Sequence, residues 1–222
     1  MATAANMRFA MEEIIPAFTA HSGIECAMTV SSSGKLTAQI IAGAPYDVFV
    51  SADMKYVDTL HRLGLAESPK VYAYGRLVLW SASDGRAATL DALSDVIYRH
   101  IAVANPHNAP YGRAAVSALR QAGIYGEVED RLVFGESISQ VNQFIKSGSV
   151  DAGFTSLSTS RSERATQHGH WAVVPAHYYE PIAQGIAVLL RDSTRTERAR
   201  SFRDFLVSPE ATTILDKFGY TW

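Results

Sequence analysis

Cysteine is nearly absent: Cys26 is the only one in 222 residues, so neither an intrachain disulfide nor a multi-cysteine metal site can form. It lies in the apolar run Cys26-Ala27-Met28 and reads as a small buried hydrophobe. No run of 18 apolar residues occurs, which excludes a membrane-spanning helix of the usual kind. Lys and Arg (20) nearly balance Asp and Glu (22), for a formal net charge of −2. Lys and Arg are scattered singly and form no basic stripe, so nucleic acid and anionic membrane surfaces are not expected partners. The sequence opens at Met1-Ala2-Thr3-Ala4-Ala5-Asn6 without the charged and apolar regions of a signal peptide, so an exported form would have had its signal removed. Also lacking are internal repeats, low-complexity tracts, a Gly-x-Ser-x-Gly elbow and a His-Glu-x-x-His helix. Ser32-Ser33-Gly34-Lys35 lacks the first Gly of a phosphate loop and the Ser or Thr after the Lys, which argues against nucleotide binding.

What is present is an ordinary globular composition, 47% hydrophobic and 19% charged, enough for one large domain or two small ones. Strand-like runs followed by helical periods recur, the pattern of an α/β fold with mainly parallel sheet. Asn6 is placed to cap a helix whose stripe is Met7, Ala10, Met11, Ile14, Ile15 and Phe18. Strands are expected at Cys26 to Val30, Tyr46 to Val50, Leu77 to Trp80, Ile101 to Ala104, Leu132 to Phe134, Asp151 to Thr155, Trp171 to Val174 and Ile186 to Leu190. Helical periods follow Ser33, Met54, Pro110 and Ser137, with a short one at Leu90 to Ser94. The chain ends in two helices, the second begun by Ser208-Pro209. Without a long linker, any division must use short crossovers, placed near Tyr74 to Arg76 and Gln184 to Ile186. The first lobe would then be residues 1–75 and 186–222, and the second residues 76–185.

Four places share one design, a strand feeding a helix whose first turn is small or polar: Ala5-Asn6, Ser32-Ser33-Gly34, Pro110-Tyr111-Gly112 and Ser137-Ile138-Ser139. The first N–H groups of a helix have no partner inside it and carry the positive end of its dipole, which makes them ready anion sites. Taken singly, Asn6, Ser33 and Ser137 are also ordinary N-caps; their conjunction is what points to an anion. Lys35 and Arg113 read as solvated charges and Asp47 and Asp53 as caps or turn formers. His168, His170 and His177 are close enough in sequence to suggest metal ligands for a hydrolase, but no Cys or Glu stands at a metal-site spacing nearby.

The segment Ser31-Ser32-Ser33-Gly34-Lys35-Leu36, then Gln39-Ile40 and Gly43-Ala44-Pro45-Tyr46-Asp47-Val48-Phe49-Val50-Ser51-Ala52-Asp53, resembles the signature of periplasmic molybdate-binding proteins. Ala4-Ala5-Asn6, Asn105-Pro106, Ala109-Pro110-Tyr111-Gly112, Gly135-Glu136-Ser137-Ile138-Ser139-Gln140, Asp151-Ala152-Gly153-Phe154 and Phe205-Leu206-Val207-Ser208-Pro209-Glu210-Ala211 extend the likeness, in family order, over essentially the whole chain.

That resemblance implies a two-lobed binding-protein fold, each lobe a mainly parallel sheet flanked by helices, closing on an oxyanion in the cleft. It implies molybdate or tungstate as ligand, Asn6, Ser33, Tyr111 and Ile138 as its contacts, and Ala5, Ser32 and Ser156 as further ones. Ser156 stands where some members have a tyrosine, and the first strand of relatives is shortened here. No catalysis and no cofactor are implied; metal enters only as the bound oxyanion. The implied setting is periplasmic or lipid-anchored outside the cytoplasm, as a monomer serving an ABC permease and its ATPase subunit. Another small anion such as sulfate is the alternative ligand, and the histidine-based hydrolase the alternative class.

Overall fold

The computed structural model describes residues 1–81, 89–162 and 169–222. In chain order the elements are β1 (Ala2–Ala4), α1 (Arg8–Ser22), β2 (Thr29–Ser31), α2 (Ser33–Ile41), β3 (Val48–Ser51), α3 (Met54–Arg62), β4 (Lys70–Gly75) and β5 (Leu77–Ser81). They continue as β6 (Ile101–Ala104), α4 (Pro110–Gln121), α5 (Tyr125–Val128), β7 (Leu132–Gly135), α6 (Ile138–Lys146), β8 (Ala152–Ser156), α7 (Leu157–Ser160) and β9 (His170–Val173). Last come β10 (Ile182–Val188), α8 (Ser193–Leu206) and α9 (Pro209–Lys217). The chain forms two compact units, one of Met1–Tyr74 with Ala183–Trp222 and one of Gly75–Ile182.

In the first unit the strand order is β2-β1-β3-β10-β4. β1 runs parallel to β2 and β3, whereas β10 lies antiparallel to β3. Alternation along the strands explains why both faces are covered. Val48 and Val50 of β3 with Ile186 and Val188 of β10 join a core that includes Met7, Met11, Phe18 and Phe202. Phe49 and Ala187, one residue out of phase, join Leu36, Val57 and Leu60 in a second core. Of the expected stripe, α1 buries Ala10, Met11, Ile14 and Phe18 and Ile15 only partly, while Met7 is buried in the turn before it. It ends at Gly23, whose φ of 72° is the left-handed conformation that glycine tolerates without strain. Cys26, expected in a strand, precedes one: β2 begins at Thr29, and the half-buried thiol is pushed up by desolvation. β1 is short but occupies an inner place in the sheet, and β4 was not anticipated beyond its end.

In the second unit the order is β7-β6-β8-β5-β9. β6 is parallel to β7 and β8, and β5 is antiparallel to β8 and β9, with Trp80 opposite Trp171. Both sheets are thus parallel on one side and antiparallel on the other. The short helix expected at Leu90 to Ser94 is a 3-10 helix, Asp91–Ser94. β1, β2, β3, β6, β7 and β8 each lead within a few residues into a helix start. Those starts collect at the carboxyl ends of the parallel strands of their own unit, where ligands bind in open α/β sheets.

Candidate functional site

In the first unit the candidate residues stand at the ends of β1 and β2. Beyond β1 the chain makes a 3-10 turn, Ala5–Met7, before α1 begins. Asn6 is therefore not the expected N-cap. Its side chain is buried and both hydrogens of its amide are committed: Nδ2 donates to Gln184 Oε1 at 2.8 Å and to Tyr220 Oη at 2.9 Å. Tyr220 in turn donates to the Asn6 carbonyl at 3.2 Å, and Gln184 Nε2 donates to the Ala52 carbonyl at 3.1 Å. An NH₂ group has two hydrogens, and Gln184 and Tyr220 take both. Its backbone N–H stays the suitable donor, with Ala5 beside it in the same turn.

Ser33 also departs from its expected role. It is the first residue of α2, Ser32 holds the N-cap position, and neither side chain caps the helix. Ser33 Oγ instead accepts from the Ala52 N–H at 3.0 Å. A hydroxyl that accepts a hydrogen bond still has its own hydrogen to give, so the arrangement leaves Ser33 a donor. Leu36 N–H is the first of α2 to reach back, to Ser32 O at 3.0 Å; those of Ser33, Gly34 and Lys35 have no acceptor within the helix. Ser32 Oγ is buried without a hydrogen-bond partner among the described residues, the condition that a bound polar ligand would relieve.

In the second unit, α4 and α6 start beyond β6 and β7. Gly112 lets α4 come down onto the end of β6: a Cβ there would stand 1.9 Å from the Ala104 carbonyl oxygen. Within α4 the first backward bonds are Gly112 N–H and Arg113 N–H to Ala109 O, at 3.0 and 3.1 Å. Tyr111, 2% exposed, precedes them, and its N–H has no acceptor in the helix. Ser137 is the N-cap of α6 as expected, its Oγ accepting from Gln140 N–H at 3.4 Å. Gln140 Oε1 reaches back to Glu136 N–H at 2.7 Å, in the manner of a capping box displaced by one residue. Ile138 and Ser139 are left as the first-turn N–H groups facing out of the helix end. Ser156 closes β8 and caps α7, its Oγ accepting from Thr159 N–H at 3.3 Å and contacting Ser158 and Thr159 hydroxyls at 2.9 and 3.0 Å. Nearby, Asn142 of α6 accepts from Thr155 Oγ1 at 2.6 Å and ties that helix to β8.

None of the first turns of α1, α2, α4 and α6 holds an acidic residue. Arg113, in the first turn of α4, is partly desolvated, which pulls its pKa down from the usual guanidinium value. The arrangement favours a fully deprotonated anion over one that carries a proton and needs an acceptor. Among the histidines, His168 lies outside the described residues. His170 is exposed in β9, and His177 stacks on Tyr178 with ring centroids 4.2 Å apart. Among the described residues no group of three His, Cys, Asp or Glu is placed to hold a metal. Gln184 and Tyr220 are the residues sequence reasoning missed. A lone glutamine inside the apolar strand Ile182–Val188 was the available signal, because a buried amide needs partners.

The family model for bacterial extracellular solute-binding proteins matches residues 1–221. The molybdate-binding protein ModA of Rhodobacter capsulatus is 37% identical over 99% of this chain and 86% of its own length. That of Azotobacter vinelandii is 35% identical over 99% and 88%. The solved structure of the Azotobacter vinelandii periplasmic molybdate-binding protein aligns with a TM-score of 0.93 at 34% identity, covering all of this chain and 97% of that one. A sulfate-binding protein of Mycobacterium tuberculosis, SubI, shares the fold with a TM-score of 0.83 at 15% identity, over 99% of this chain and 84% of that one. The chain belongs to the bacterial extracellular solute-binding protein family.

Proposed function

We propose that this protein binds molybdate or tungstate and hands it to an ABC importer, as a monomer outside the cytoplasm, free in the periplasm or held by a lipid anchor. Its partners are then a membrane permease with an ATPase subunit. The observation that carries the ligand assignment is the set of acid-free helix starts in both units of a chain 37% identical to a molybdate-binding protein. In this reading the ion takes the Ser33 hydroxyl with the backbone N–H groups of Ser33 and Asn6 from one unit, and those of Tyr111 and Ile138 from the other. Ala5 and the unpartnered Ser32 hydroxyl extend the set; Ser156 contributes least, because its oxygen already serves α7. The lobes of this reading are residues 1–75 with 186–222 and residues 76–185. Binding that needs donors from both favours whichever conformation satisfies them together, so the ion selects a closed state. A permease that distinguishes this state receives loaded protein in preference to empty.

Molybdate and tungstate are nearly the same size and both are dianions at neutral pH, so comparable affinities are expected. Sulfate has shorter central bonds and reaches fewer donors at good distance; phosphate retains a proton, and no carboxylate stands in the first turns of these helices to take it. Titration calorimetry with the four ions is the test. Tight sulfate binding without molybdate binding would replace the ligand, and turnover lost on chelation would replace binding with catalysis.

A further inference from the structure

Four residues of the first unit are linked by one series of hydrogen bonds. Ser33 Oγ accepts from Ala52 N–H, Ala52 O accepts from Gln184 Nε2, and Gln184 Oε1 accepts from Asn6 Nδ2. These links join α2, the turn after β3, β10 and the turn after β1, elements up to 178 residues apart in sequence. Orientation is forced along the whole series. The Ala52 carbonyl can only accept, so Gln184 must turn its NH₂ there and its oxygen toward Asn6. Asn6 must then turn its own NH₂ toward Gln184, where Tyr220 Oη takes the second hydrogen and fixes the Asn6 carbonyl in return. Gln184 is wholly buried, so water cannot replace any of these partners at low cost.

Building on the oxyanion reading above, we propose that Gln184 is a positioning residue for the anion site: it holds the Asn6 turn and the Ala52 peptide so that Asn6 offers its backbone N–H and Ser33 its hydroxyl hydrogen. Tyr220 supports the same turn from the other side.

The test uses the full chain and molybdate. Gln184→Leu keeps the volume and removes both hydrogen bonds without adding charge; its molybdate Kd is expected to rise about ten-fold or more, the scale of a buried polar group left unpaired. Gln184→Glu adds a pH signature. When ionised it sets an oxygen against the Ala52 carbonyl, but the neutral acid donates there and still accepts from Asn6. A buried glutamic acid has a raised pKa, so its affinity is expected to recover toward the parent value between about pH 8 and 6, over which the parent stays flat. At saturating molybdate the Asn6 and Ser33 backbone amides of Gln184→Leu should lose their ligand-induced NMR shifts, while those of Tyr111 and Ile138 keep theirs. Tyr220→Phe should weaken binding less. Parent-like affinity in Gln184→Leu, an equal loss of shifts in both units, or no recovery of folded Gln184→Glu on acidification overturns the proposal. If the parent protein itself binds no oxyanion, the functional reading falls first and is seen to do so in the parent titration.

Discussion

At Ser33 the hydroxyl accepts from one backbone N–H and so keeps its hydrogen for something else. Replacing Ser33 with Ala removes the donor and strands the buried Ala52 N–H, so two effects are expected. Molybdate affinity should fall by about ten-fold or more, and denaturant titration should show a loss of ~1–3 kcal/mol in the ligand-free protein, the cost of one buried unpaired N–H. A variant that binds as tightly as the parent would remove Ser33 from the site. Residue types announced that these positions sit at helix starts, but not which atoms are spent. Asn6 and Ser33 both have the composition of N-caps, and neither caps, because stronger partners from distant strands compete for their side chains. Ser137 and Ser208, whose surroundings offer no such competitor, cap their helices through Gln140 and Ala211 N–H.

For whole elements the periodicity was more informative than for single atoms. The stripe of α1 and the continuous apolar runs of β3 and β6 are dictated by burial, which acts on every residue of those segments. β4 is harder to read, since its short run Val71-Tyr72-Ala73-Tyr74 mixes exposed and buried positions without a period of two. The antiparallel half of each sheet is invisible to local pattern, because strand direction is decided by connection and not by composition. Register against the helices also hangs on single small residues. Gly112→Ala would force the first turn of α4 off the end of β6, and with only backbone to yield at 1.9 Å the expected destabilisation is ~3 kcal/mol or more, at the upper end of overpacking costs. Thermal denaturation followed by circular dichroism checks it. Since Tyr111 is carried by the same turn, molybdate binding should weaken in the fraction that still folds.

Across the whole chain the two units differ in connectivity: Gly75–Ile182 is a single stretch, whereas the other unit is assembled from both ends. Each has its own five-stranded sheet. The middle stretch expressed alone is therefore expected to unfold cooperatively, with the circular dichroism of mixed α/β structure. It would carry Tyr111 and Ile138 without Asn6 and Ser33, so its molybdate affinity should be lower by about a hundred-fold or more, since every ten-fold is 1.4 kcal/mol and several donors are missing. Non-cooperative melting would show that the stretch depends on the rest of the chain. The intact protein should gain melting temperature with rising molybdate, by mass action on the folded form. Finally, the pairing of Trp80 with Trp171 in the sheet of the middle stretch gives the protein a built-in reporter for that half alone. Trp80 is fully enclosed, and the third indole, Trp222, is 56% exposed at the chain end. Loss of the first sheet leaves the ultraviolet emission colour almost unchanged and loss of the second shifts it red, so one cuvette tells which half gives way first.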